Sequence, residues 1–158
     1  MVSEIQAEIE SLLPHRDPFL FVSDIEEFEA ETRVVTRWDV HAEMDFFRGH
    51  YPQEPILPGV LISEFAFQSG AILLIKSGDE KWTGSEEQTP VLVGIEKARF
   101  RKIVRPGTSI RAEVVLERAM ASARYMSATI TSDEGTVARI GFTLAMAPSA
   151  KASSGEGT

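Results

Sequence analysis

Residues 58–76, PGVLISEFAFQSGAILLIK, are apolar on nearly every side. At helical spacing Val60, Leu61, Ile62, Phe65, Phe67, Ile72, Leu73, Leu74 and Ile75 leave no wide polar face, so a helix here has to be central and wrapped by other elements. Pro58 suits its first turn and Gly78 its stop. Ser63, Glu64, Gln68 and Ser69 interrupt the stretch, which argues against a membrane span of ~20 apolar residues.

The rest of the chain must supply the wrapping. From Phe19 to Val40 the residues are those of strands, with a break near Ala30 and Glu31, which predicts two antiparallel strands. Four further strand-like runs lie at about 90–101, 108–119, 122–132 and 136–147, separated by Arg105-Pro106-Gly107-Thr108, by Met120-Ala121 and by Asp133-Glu134-Gly135; these read as meander or hairpin connections. With a helix early, strands late and no alternating rhythm, the expected class is α+β: an antiparallel sheet curled around the central helix. Ser3 and Gln6 have capping-box spacing ahead of a short amphipathic helix at about 4–12, which Pro14 and Pro18 end. Residues 45–58 are a loop punctuated by Pro52, Pro55 and Pro58, and the polar segment 79–89 reads as a loop. Residues 1–147 are expected to form one domain, followed by a disordered polar tail at 148–158.

Cysteine is absent, which excludes a thiol nucleophile, a cysteine-ligated zinc and a disulfide framework. The net charge of −8 disfavours nucleic acid as the main partner. The N-terminal segment MVSEIQAEIESLL carries acids where a signal peptide carries bases, and the expected location is cytoplasmic.

One carboxylate, Glu64, sits on the apolar helix, and a proline-bracketed histidine, His50, precedes it. An ionised carboxylate among apolar side chains is costly unless paired, hydrogen-bonded or protonated. Gln68 lies one turn beyond Glu64 on the same face, where its amide can orient the carboxyl. The N–H groups of Gly59 and Val60 begin the helix without intrahelical acceptors, a ready site for a carbonyl oxygen gaining negative charge, and Gly59 lets a substrate approach the backbone. A base (His50), an acid (Glu64) and an oxyanion stabiliser are the parts for proton abstraction beside a carbonyl with loss of a β-hydroxyl. Plainer readings stand beside this one. A loop histidine is by default a surface or turn residue, Glu64 alone suits a structural ion pair equally well, and Phe46, Phe47, Phe65 and Phe67 read first as core. His15 and His41 read as structural or exposed, and the three histidines lack metal-ligand spacing, so no metal site is expected. The run Lys97, Arg99, Arg101, Lys102 and Arg105 is either a solvated strand face or a dock for an acidic partner or a phosphate.

Three blocks, LLPHRDPFLFV at 12–22, FFRGHYPQEPILPGVLISEFAFQSG at 46–70 and GIEKARFRKIVRPG at 94–107, fall in the order found in one family. In them the sequence resembles the (3R)-3-hydroxyacyl-acyl-carrier-protein dehydratases of fatty acid synthesis, the FabZ type within the hot-dog fold, over about residues 8–147. The resemblance implies that His50 and Glu64 are the catalytic pair, that the Gly59 amide holds the thioester carbonyl, and that Gln68 matches the family glutamine. It also implies no cofactor, a homodimer whose sites combine His50 of one chain with Glu64 of the other, and an acyl tunnel at their interface. Phe46, Phe47, Tyr51, Phe65 and Phe67 are candidates to line that tunnel. Such dimers often assemble further into hexamers. The basic run becomes a candidate dock for the acyl carrier protein or its pantetheine phosphate. Glutamate at 64 implies dehydration without isomerisation, since the related isomerising dehydratases carry aspartate there. Tyr51 stands where phenylalanine is usual, Phe65-Ala66-Phe67 replaces Ala-Met-Ala, and Phe21-Val22-Ser23-Asp24 replaces Leu-Val-Asp-Arg; the second change adds bulk near the implied tunnel. An acyl thioesterase of the same fold and a non-catalytic acyl-binding module are the alternatives.

Overall fold

The computed structural model describes residues 1–78 and 88–148. Helix α1 spans Glu4–Leu12 and begins as the capping box predicts on one side only: Ser3 Oγ accepts the Gln6 amide at 3.2 Å, while the Gln6 side chain turns forward to Glu10. Strands β1 (Asp24–Glu29) and β2 (Arg33–Asp39) follow, then a 3-10 turn at Asp45–Arg48 and helix α2 (Gly59–Lys76). Strands β3 (Gln88–Phe100), β4 (Ser109–Met120), β5 (Ala123–Ser132) and β6 (Gly135–Pro148) complete one antiparallel sheet in the order β1-β2-β4-β5-β6-β3.

Several details differ from the sequence reading. Phe19–Ser23 is not strand, because the Phe21 N–H and the Phe19 carbonyl bond to Gln68 rather than to a neighbouring strand. The link from β3 to β4 is not a hairpin: β3 pairs with β6 at the far edge, whereas β4 pairs with β2 and β5. Pro148, assigned to the tail, ends β6 opposite Gln88; the remainder of that tail and positions 79–87 of the expected loop lie outside the described residues.

Helix α2 lies against the sheet with Ile62, Ser63 and the run from Phe65 to Leu74 buried. Pro58 is its N-cap rather than a first-turn residue, and Gly78, at φ +70, follows the Ser77 C-cap. By length and composition α2 could cross a membrane, but two-thirds of it (67%) is buried inside the protein, as expected of a core helix. The fully buried Trp38 stacks on Phe21 with ring centroids 4.6 Å apart and meets Phe65 at 5.6 Å. One buried polar link fixes helix to sheet. Ser69 Oγ donates to the Phe65 carbonyl at 2.7 Å, so Thr36 Oγ1 is the donor in its 2.7 Å bond to Ser69 Oγ.

Candidate active site

The loop between the 3-10 turn and α2 is tied down at several points. The Leu57 amide donates to the Val104 carbonyl at 2.8 Å, Glu54 pairs with Arg105 at 2.8 Å, and the Glu54 amide donates to the Tyr51 carbonyl at 2.9 Å. Within this frame His50 Nδ1 lies 2.8 Å from the Ile56 carbonyl oxygen. A carbonyl only accepts, so Nδ1 carries the hydrogen of the neutral ring and Nε2 is left with its lone pair. That is the tautomer a base needs. Tyr51 adopts φ +52, an uncommon conformation for a bulky residue, and its ring meets the His50 ring edge-on at 4.6 Å.

Glu64 is held from two sides at the same oxygen. Gln68 Nε2 donates to Glu64 Oε1 at 3.3 Å, and His15 Nε2 lies 3.4 Å from that atom. Gln68 is 1% exposed and fully committed: its Oε1 accepts the Phe21 amide at 2.9 Å and its Nε2 also donates to the Phe19 carbonyl at 2.9 Å. The Glu64 side chain itself remains 22% exposed, between the buried Ser63 and Phe65. It faces a cavity of about 80 Å³ lined by His15, Phe67, Gln68 and the β3 residues Pro90, Val91 and Leu92.

At the start of α2 Pro58 offers no side-chain cap, and the Gly59 and Val60 N–H groups have no acceptor among the described residues. Beside Gly59 lies the Phe100 ring. A Cβ on Gly59 would lie 3.3 Å from that ring, so the glycine lets it close over the helix start.

The aromatic candidates separate. Phe65 (0% exposed) and Phe47 (5%) are core residues, Phe67 lines the Glu64 cavity, Phe46 lines a wider hollow of about 670 Å³ with Phe19, Phe21 and Leu61, and Tyr51 is exposed. The basic candidates separate too. Lys97, Arg99 and Arg101 line an open groove of about 480 Å³ with Arg139, which the β3–β6 register sets opposite Arg99. Lys102 donates to the Glu134 carbonyl, and Arg105 is the partner of Glu54.

Within one chain His50 and Glu64 are not brought together. No contact within 4.0 Å joins them, and His50 is not among the residues lining the Glu64 cavity. Among the described residues no group of three or more His, Asp or Glu is arranged to hold a metal ion.

The FabA-like domain model matches residues 13–140, most of the chain. The chain belongs to the FabA-like family. Among its FabA-like relatives, the 3-hydroxyacyl-[acyl-carrier-protein] dehydratase FabZ of Clostridium perfringens is 43% identical over 126 residues, covering 80% of this chain and 86% of the relative. The protein of the same name from Cupriavidus taiwanensis is 37% identical over 127 residues, covering 80% and 83%. Among solved structures, the dehydratase heterocomplex ApeI:P from Xenorhabdus doucetiae superposes with a TM-score of 0.74 at 13% identity, covering 88% of this chain and 90% of that one. A hypothetical thioesterase from Streptococcus pneumoniae with coenzyme A gives 0.60 at 16% identity, covering 79% and 85%. At such identities both matches speak for the fold alone, which houses more than one chemistry.

Sequence reasoning did not single out three residues that the structure places beside the candidates. His15 read as structural, yet it reaches Glu64; its place in the first of the three blocks was the available signal. Phe100 read as strand, and Arg139 shows only once β6 is set beside β3.

Proposed function

We propose that the protein dehydrates (3R)-3-hydroxyacyl thioesters borne on acyl carrier protein to trans-2-enoyl thioesters in fatty acid synthesis, with His50 as base and Glu64 as acid. The observation that carries the chemistry is the His50–Ile56 bond, which leaves Nε2 free to accept a proton. The family and its FabZ-named relatives support the substrate class.

In this reading His50 Nε2 takes the C2 proton, and the C2–H electrons form the C2=C3 double bond as the C3–O bond breaks. The departing oxygen takes a proton from Glu64 and leaves as water, since hydroxide is a poor leaving group. The Gly59 and Val60 amides stabilise the enolate-like charge on the thioester carbonyl. The residues themselves supply the acid, the base and the oxyanion site, so the reading needs no cofactor or metal. The step leaves His50 protonated and Glu64 ionised; in these forms the same groups hydrate the enoyl product, and net passage of one proton from His50 to Glu64 through solvent resets the site for dehydration. Glutamate at 64 supports dehydration without isomerisation.

The active unit of this proposal is a homodimer in which His50 of one chain works against Glu64 of the other. Two features support it. The pair is apart within one chain, and β3, a wall of the Glu64 cavity, is a 13-residue edge strand that exposes Leu92, Val93 and Ile95. A long apolar edge is a template for pairing with a second copy. Residues 1–147 act as one dehydratase domain in the cytoplasm, and the groove of Lys97, Arg99, Arg101 and Arg139 receives the acidic carrier or its phosphate.

The test is enoyl-thioester formation from a (3R)-3-hydroxyacyl carrier protein, with free thiol assayed in parallel. Wild type turns over, and His50→Ala and Glu64→Gln each lose at least about a hundredfold, the usual effect of removing a general acid or base. Thiol release without enoyl product moves the protein to the thioesterases, and no turnover across several chain lengths makes it a binding module.

A further inference from the structure

Glu64 Oε1 is approached by Gln68 and by His15, while no group among the described residues is bonded to Oε2. The carboxyl therefore has a held oxygen and a free one. His15 is itself fixed: its ring stacks on Phe19 at 6.4 Å between centroids, and Arg16 anchors the backbone around it by donating to the Glu10, Leu13 and His15 carbonyls. Its Nδ1 is buried without a partner. In the neutral ring a hydrogen on Nδ1 would be a buried donor without an acceptor, so the tautomer carries its hydrogen on Nε2, and that hydrogen faces Glu64. Among the residues lining the cavity, His15 and Glu64 alone are titratable.

We propose that His15 is a positioning residue for the acid of the reaction: an Nε2–H donor that, with Gln68, holds Glu64 Oε1 and turns Oε2 toward the departing hydroxyl. The inference rests on the dehydratase reading above. As Oε2 gives its proton to the C3 oxygen, negative charge spreads to Oε1, and the His15 donor strengthens as that charge grows. Its 3.4 Å contact, longer than the roughly 2.7–3.2 Å of a formed hydrogen bond, leaves room to tighten at that moment. An interaction stronger in the transition state than in the bound substrate acts on kcat and leaves KM alone.

The test compares His15→Gln with His15→Met in the full-length protein, measuring kcat and KM on a (3R)-3-hydroxyacyl carrier protein, with Glu64→Gln alongside. Gln and Met have similar size, but only Gln keeps an N–H near the position of Nε2. The expected result is that the Met variant loses about tenfold in kcat at unchanged KM, the effect of one lost hydrogen bond, while the Gln variant stays within about threefold of wild type. Equal kcat in the two variants, or a loss confined to KM, overturns the His15 role even if Glu64→Gln is inactive. Full activity in Glu64→Gln, or no turnover in wild type, removes the dehydratase reading and the His15 role together.

Discussion

Gln68 Oε1 accepts the Phe21 backbone amide at 2.9 Å, so the side chain that donates to Glu64 is locked by the segment that follows His15. The carboxylate on the central helix is thereby oriented from outside the helix, by the chain entering the sheet. Replacing Gln68 with Leu keeps the volume and leaves the buried Phe21 N–H and the part-buried Phe19 carbonyl without their partner. The expected cost is about 1–3 kcal/mol for the pair, read from denaturant midpoints, together with a lower kcat. Unchanged stability would show that these backbone groups find other partners.

Gly70 sets how closely α2 approaches the sheet. A Cβ there would lie 2.9 Å from Met126 Sδ and 3.0 Å from the Phe142 ring, and Phe142 is fully buried. Helix propensity favours Ala over Gly by ~1 kcal/mol, and overpacking of a tight core costs ~1–3 kcal/mol, so Gly70→Ala is expected to destabilise by up to about 2 kcal/mol. A stabilised variant in chemical denaturation would show that packing here is looser.

A charged cluster on β1, β2 and β4 governs acid stability. Arg111, at 2.7 Å, pulls the Glu26 carboxyl below its ordinary range; burial opposes this, and Arg37, at 2.9 Å, helps to keep the net direction down. Burial pushes Asp39 up, but the Ser109 hydroxyl at 2.7 Å and Arg37 at 3.0 Å outweigh it, and the net direction is down. Carboxyls depressed in the folded state bind protons more readily when unfolded. Their contribution is therefore complete above an ordinary carboxylate pKa of about 4 and is lost as pH falls through the folded values. The melting midpoint should fall below about pH 4, and less steeply in Glu26→Gln. An identical acid slope in that variant would remove Glu26 from the explanation.

The exposed edge strand predicts association. Val93→Arg with Ile95→Arg sets like charges against their two-fold copies on β3 and is expected to yield monomers in sedimentation, with dehydration lost while the fold persists by circular dichroism. Active monomers would contradict the two-chain site.

Local signals were legible because they depend on neighbours in sequence. The apolar run gave α2, Ser3 gave the start of α1, and Asp133-Glu134-Gly135 gave the β5–β6 turn, where Gly135 takes φ +114. The break expected near Met120-Ala121 falls between β4 and β5, with Ala121 rather than a glycine taking φ +52, so that turn was legible too. What could not be read depends on partners far along the chain. Phe19–Ser23 has strand composition, but Gln68 takes its backbone groups. Strand β3 crosses to the far edge because its pairing surface is β6, formed by the last described residues. His15 meets Glu64 only through tertiary folding, so a residue that read as structural proves to touch the candidate acid.

The most direct test of the two-chain site is subunit mixing. His50→Ala and Glu64→Gln chains, each inactive alone, are unfolded together, refolded and assayed for enoyl-thioester formation. If each site takes His50 from one chain and Glu64 from the other, half of the random dimers are mixed and each mixed dimer carries one intact site, so activity returns to about a quarter of wild type. If both residues of a site come from the same chain, every site keeps one lesion, and the mixture stays as inactive as its parts.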